Sequence, residues 1–356
     1  MEELKQLWGK DSFDNEIYLF ELRNNKKESV FLSNLGARIV GIQTMDQFGN
    51  IDEITLGYNH WNYYLTACDY FGATIGRTAN RTKNGMLQIG EKEYQLTRNQ
   101  DGHHLHGGNL RFSRKIWSTG KQTSNSIEFL LESKDKEEGY PGNLKVKVTY
   151  SWDNTSALTI KYEYFADQDT VVNLTNHAYF NLNGEGKGKI HNHLLQVASN
   201  EILESNKDLI VTGKIIPIKN TPFDFSEPKE IGESINDDDQ YLNNGNGYDH
   251  FWLFNKDRNY TKKILTLTSQ KTGRILDVYT DYQGVQIYSC NYMDSIVPGR
   301  TGKRYLHRNA VCIEPSYCPN NFKNPNYETA LIKAGKKKSH FISLHFSTRQ
   351  TPSDNA

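Results

Sequence analysis

No apolar run in this chain is long enough to span a bilayer, and none near its start has the form of a secretory signal. The opening MEELKQLWGKDSFDNEIYLF is acidic from its second residue, so a soluble cytoplasmic protein with no membrane partner is expected. Charge imbalance is missing too. Lys plus Arg and Asp plus Glu are both 42, and the resulting zero net charge offers no global field for nucleic acid or an anionic surface. Cysteine is scarce: Cys68, Cys290, Cys312 and Cys318 form no CxxC pair, which argues against a zinc knuckle and against the disulfide framework of a small secreted domain. A glycine-rich nucleotide loop and a nucleophile motif are likewise missing, as are an internal repeat, a low-complexity linker and any long stretch of helical period.

What the chain does have is short strands. The segments EIYLFEL, SVFLS and ARIVGIQTM between residues 17 and 45 are β-branched and separated by NNKKE and NLG, a hairpin signature. In Leu144–Trp152, Leu144, Val146, Val148, Tyr150 and Trp152 alternate with Lys, Lys, Thr and Ser, so one face is buried and one is wet. The turn DNTS at residues 153–156 returns the chain into Leu158, Ile160, Tyr162 and Tyr164, completing an antiparallel hairpin. The pattern recurs at residues 264–269 and 274–280 around QKTG, and again at 285–289, 310–314 and 340–346. Many short strands with Gly, Asn and Asp turns predict an all-β antiparallel sandwich rather than βαβ units. At 356 residues the length suggests two domains, but β-rich folds often run this long as one unit. Residues 206–247, with KIIPIKNTPFDF and NDDDQYLNNGNG, read as a long irregular segment, functional or mobile. Its DDD lacks the full spacing of a calcium loop and reads as solvated, as does the lysine run 336–338.

Five polar signatures sit at strand ends or in glycine-bearing turns, where a β scaffold presents function. They are GRTANR (76–81), HHLHGG (103–108), TNHAYFNL (175–182), GYDHFW (247–252) and CIEPSYCPN (312–320). The stretch VVNLTNHAYFNL reads as a strand ending on His177, with Asn173, Asn176 and Asn181 around it to bond a sugar or fix the imidazole. A histidine beside an apolar run is as readily structural as catalytic, so the question is whether it has partners. Glu314 ends the apolar run Val311, Cys312, Ile313, and burial would raise its pKa and make it a better base. Asp249, framed by Tyr248, His250, Phe251 and Trp252, fits either a carboxylate for vicinal hydroxyls under an aromatic face or a turn cap. Arg77 and Arg81 are surface charges or, following FGATIG, positioned forks of donors. His104 and His106 alternate on a strand and could chelate, yet no carboxylate follows them. The glycines after His106 suggest close backbone approach by a ligand instead.

Taken together and in order, FGATIGRTANR, LHGG, NLTNHAYFNL, TPFDF, YDH and the IE strand resemble the aldose 1-epimerase (galactose mutarotase) family along essentially the whole chain. The resemblance implies one domain over residues 1–356, a large antiparallel β-sandwich of the galactose mutarotase supersandwich type. It implies His177 as general acid, Glu314 as general base, and Arg81, His106, Asp249 and Gln286 as ligands of the sugar hydroxyls. It further implies a free monosaccharide such as D-galactose or D-glucose as substrate, no cofactor or metal, and a monomer or homodimer. The chain departs from the usual pattern at His103 and His104, where an amide commonly precedes LHGG. It departs again at Ser316 and Pro319-Asn320, where Gln and Pro-Asp are usual. Both changes bear on sugar preference. The competing expectations are a non-catalytic sugar-binding or sensing protein and a mutarotase for another or a phosphorylated aldose.

Overall fold

The computed structural model describes residues 5–66, 70–255, 259–320 and 329–349; Cys68 lies outside them. Three antiparallel sheets carry the chain. The first five strands, Lys5–Lys10, Glu16–Arg23, Ser29–Ser33, Arg38–Met45 and Ile51–Glu53, form a sequential meander. A nine-stranded sheet runs Ser118–Gln122, Ser126–Ser133, Leu144–Trp152, Ala157–Ala166, Lys337–Thr348, Arg274–Thr280, Leu265–Ser269, His193–Val197, Lys229–Glu230. A six-stranded sheet runs Tyr179–Phe180, Val311–Ser316, Gly284–Tyr288, Asp249–Leu253, Glu201–Ser205, Val211–Pro217. The expected all-β antiparallel sandwich is what the chain forms. Among the described residues the longest α-helix is the six-residue Gln240–Gly245, and no helix is long and apolar enough to cross a membrane.

Period-two patterning explains how the sheets pack. Leu144–Trp152 buries alternate residues and pairs in register with Ala157–Ala166, Leu144 opposite Ala166 and Trp152 opposite Leu158. One hydrophobic core draws Phe20 and Val30 from the meander, Val148 and Leu158 from the large sheet, and Trp252, Val285, Ile287, Val311 and Ile313 from the six-stranded sheet. Alternation therefore turns Asp249, Gln286, Tyr288 and Glu314 to the opposite face of that sheet, away from the main core.

Two sequence expectations are corrected here. The stretch around His177 is not one strand: Thr170–Val171, Thr175–Asn176 and Tyr179–Phe180 pair with three different partners, Leu331–Ile332, the Thr74–Ile75 strand and residues 311–312. Residues 206–247 are not irregular throughout, since Val211–Pro217 is a strand and residues 230–245 include two short helices. The DDD run is solvated as expected, Asp237 and Asp238 being exposed, and it ends in a helix cap: the Asp239 carboxylate accepts the N–H groups of Tyr241 and Leu242, which satisfies donors that helix geometry leaves free.

Candidate active site

Above that face of the six-stranded sheet lies a cavity of about 430 Å³ lined by all six residues the resemblance implies: Arg81, His106, His177, Asp249, Gln286 and Glu314. Strand register places three of them. Gln286 stands directly opposite Glu314 on one side and Phe251 on the other, and Asp249 is two residues from Phe251 on the same face. The Gln286 amide donates to Asp249 Oδ1 at 2.7 Å, which orients the carboxylate and leaves its other oxygen for a hydroxyl.

His177 enters from a separate segment. Its N–H donates to the Ala73 carbonyl at 3.0 Å and its own carbonyl accepts from Gly72 at 2.9 Å, so the FGATIG stretch holds the backbone that carries it. The imidazole Nε2 lies 3.5 Å from Glu314 Oε1, with both side chains about 5% exposed. Burial drives His177 down to about 3. Burial, reinforced by the Asp249 carboxylate and opposed by Arg81, drives Glu314 well above the usual carboxylate range. The two groups touch, so they titrate as a pair and share the proton that either one binds. Asp249 is raised in the same way, burial outweighing Arg81 and the Gln286 hydrogen bond.

His106 and Asn80 lock each other in place. The His106 N–H donates to the Asn80 carbonyl at 3.1 Å, and the Asn80 N–H donates to His106 Nδ1 at 3.1 Å. His106 sits at φ 50° and Gly107 at φ 85°. A Cβ on Gly107 would collide with the Gly76 carbonyl oxygen, so the LHGG glycine serves a backbone crossing, not the approach of a ligand. Arg81 pairs with Leu105 across a two-residue bridge, which brings GRTANR and HHLHGG to the same rim.

His106, His177 and Glu314 each offer a donor atom, all within 4.8 Å of one another, the ligand types of a two-histidine, one-carboxylate metal site. The donor chemistry fits poorly. The Asn80 N–H takes the lone pair of His106 Nδ1, so Nε2 carries the proton and presents a hydrogen-bond donor where a metal needs a lone pair. A sugar hydroxyl suits that donor. The chelating pair of His104 and His106 that the sequence disfavoured does not form: the left-handed turn at His106 breaks the alternation. His104 is buried between the Thr97 carbonyl at 2.7 Å and the Tyr140 hydroxyl at 2.7 Å.

Two further expectations change. Tyr248, Phe251 and Trp252 do not cover the cavity; all three are at most 1% exposed and lie within the packed interior. The aromatic lining comes from Tyr70, Tyr179, Tyr288 and Tyr292, of which Tyr179 stood inside a quoted motif and Tyr70 one residue before another. Arg77 does not reach the cavity. Its guanidinium is buried against Ser133, Lys134, Pro141 and Gly142.

Comparison with known proteins agrees with this geometry. The family model described as aldose 1-epimerase matches residues 18–345. Galactose mutarotase from Mus musculus is 37% identical over 328 residues, covering 92% of this chain and 93% of that protein. Aldose 1-epimerase from Escherichia coli K12 is 30% identical over 331 residues, covering 92% and 94%. The crystal structure of an aldose epimerase homologue from C. elegans superposes with a TM-score of 0.86 at 26% identity, covering 93% of this chain and 98% of that one. Motifs distant in sequence converge on one cavity, and the match to these relatives runs through nearly all of both chains: this chain belongs to the aldose 1-epimerase family.

Proposed function

We infer that the cavity interconverts the α and β anomers of a free aldohexose such as D-galactose or D-glucose, an isomerase reaction run by its own acid and base. The observation that carries this is the 3.5 Å contact between His177 Nε2 and Glu314 Oε1 inside a polar cavity. Ring opening begins with the proton on His177 and Glu314 ionised. The carboxylate takes the O1 proton, the C1–O5 bond breaks with its electrons going to O5, and the imidazolium protonates O5. Rotation about C1–C2 exposes the other face of the aldehyde. O5 then attacks C1, returning its proton to His177, and Glu314 returns its proton to O1. With the open-chain aldehyde bound, the pair is neutral imidazole plus carboxylic acid, the arrangement burial favours in the empty cavity. Each positioned acid or base is worth about 10²–10⁴-fold. Arg81, His106, Asp249 and Gln286 hold the hydroxyls, presenting donors and acceptors that fix the ring between acid and base.

A binding or sensing role has no use for a buried imidazole–carboxylate contact, which favours the enzyme. A phosphorylated sugar is disfavoured because Arg81 is the only Lys or Arg among the described residues of the lining. The core that joins Phe20 to Phe346 supports one domain over residues 1–356. The burial of Cys290, Cys312 and Cys318 fits the cytoplasmic location the sequence suggests.

The test is polarimetry of freshly dissolved α-D-galactose. Relaxation accelerates with the protein, persists in EDTA, and is faster for glucose than for glucose 6-phosphate; no acceleration with any free aldose would refute the reading. The pH dependence follows from the shared proton. A second proton joins the pair only at low pH, because burial holds His177 near 3. The single proton leaves only above the carboxylate range, because Glu314 is raised. The kcat/KM profile therefore has its basic limb above the ordinary carboxylate range and its acid limb well below the ordinary imidazole value of about 6.5. An acid limb at that ordinary value would contradict the shared proton.

A further inference from the structure

The mechanism needs a protonated imidazole in a place where burial strongly opposes one, and the side chains around His177 include a counterweight. Two tyrosine rings lie nearly parallel to its imidazole. Tyr179 is 4.9 Å away between ring centres at 13°, and Tyr70 is 5.6 Å away at 16°. Both rings are fixed from outside the catalytic pair. Tyr179 is 5% exposed, its ring packs edge-on to Phe71 at 4.7 Å, and its hydroxyl bonds the buried Cys312 thiol. The Arg111 guanidinium carbon lies 4.6 Å from the centre of the Tyr70 ring, and Tyr70 also touches the His106 ring at 4.8 Å.

We propose that Tyr70 and Tyr179 form an aromatic clamp that positions His177 and stabilises its protonated form through their π faces. An imidazolium within about 6 Å of a ring centre is attracted by the ring quadrupole, and more strongly when water is excluded. The clamp therefore acts in the direction opposite to desolvation. It favours the tautomer with the proton on His177, the one ring opening consumes. The other groups facing His177 or its partner are Glu314 at 3.5 Å and His106 at 5.3 Å between ring centres, with Arg81 and Asp249 acting on Glu314 and Arg111 on Tyr70. Of these only the ionised carboxylates favour the imidazolium. Tyr70 is thus a positioning residue, acting through His177.

The inference rests on the mutarotase reading, and its test separates the two. In Tyr70→Leu, kcat falls about 2- to 30-fold and the acid limb of the kcat/KM profile moves about 0.4–1.5 pH units lower, the cation–π range expressed as protonation. Tyr70→Phe, which keeps the ring, stays closer to wild type in both. A Tyr70→Leu enzyme that changes only KM, or whose profile does not move, overturns the clamp and makes Tyr70 a plain wall of the cavity. The readout independent of activity is the imidazole ¹⁵N shift of His177, assigned by its loss in His177→Asn. With a bound sugar at neutral pH, it moves toward neutral imidazole in Tyr70→Leu and not in Tyr70→Phe. If the wild-type protein turned over no aldose, the mutarotase reading would fail while this shift still judged the clamp; an unchanged shift overturns it.

Discussion

Glu314→Gln lowers kcat for mutarotation by about 10²–10⁴-fold while sugar binding survives. The substitution keeps the shape of the side chain and its place opposite Gln286 on the Val311–Ser316 strand, so the cavity keeps its form. What goes is the ability to hold a proton. The O1 proton then has no acceptor, and His177 loses the one ionisable carboxylate within 4 Å of its Nε2 among the described residues, so burial keeps the imidazole neutral and the acid is disabled along with the base. Acid and base act as one unit. A Glu314→Gln/His177→Asn double variant should therefore be little slower than the worse single variant, since effects within a catalytic unit do not add. Polarimetry corrected for spontaneous mutarotation gives the rates, and calorimetric titration with galactose checks that binding persists. Full activity in Glu314→Gln would remove the carboxylate from the mechanism, and lost binding would make Glu314 a sugar ligand alone.

The sequence made local patterns legible and left their partners hidden. Leu144–Trp152 could be read because alternation is a property of neighbours along the chain, and the same rule turned Glu314 away from Val311 and Ile313. The glycine of LHGG was misread because the atom it must avoid, the Gly76 carbonyl oxygen, lies 31 residues earlier in the chain. The aromatic frame of Asp249 was misread for a related reason. Trp252 faces the core because Asp249 faces the cavity, and Phe251, on the same face as Asp249, packs into a separate buried cluster. The stretch around His177 looked like a strand because Val and Leu favour strands anywhere. Its division among three partners is set by where residues 74–75, 311–312 and 331–332 arrive. Tyr70 carries no local signal at all, since its role depends on His177 107 residues away.

Arg77 shows the same limit most sharply, and its replacement has the largest expected effect on stability. From sequence it was either a surface charge or a positioned fork of donors. In the fold it is 2% exposed, and its donors are spent on the chain itself. Nε donates to Ser133 Oγ at 3.0 Å, Nη1 to the Pro141 carbonyl at 3.0 Å, and Nη2 to the carbonyls of Ser133, Lys134 and Gly142 at 2.9–3.0 Å. These carbonyls belong to the ends of the turn joining Ser126–Ser133 to Leu144–Trp152, so one fork of donors closes a hairpin of the large sheet onto the GRTANR segment. Arg77→Met fills similar volume but leaves several buried carbonyls without donors, each costing about 1–3 kcal/mol where water cannot enter. A total of about 3–5 kcal/mol is expected, comparable to removing one partner of a buried charged network. Arg77→Lys should recover only part of this, because one ammonium cannot span acceptors that a planar fork reaches in three directions. Burial lowers the Arg77 pKa only to about 10, so the guanidinium stays charged at neutral pH and the comparison with Lys is one of geometry. Urea unfolding followed by tryptophan fluorescence measures the loss. Below the transition, the folded variant should keep a KM for galactose near wild type, because Arg77 touches neither the sugar nor the catalytic pair. If Arg77→Met were as stable as wild type but selectively lost activity on a phosphorylated sugar, Arg77 would belong to the binding site and its position in this fold would be wrong.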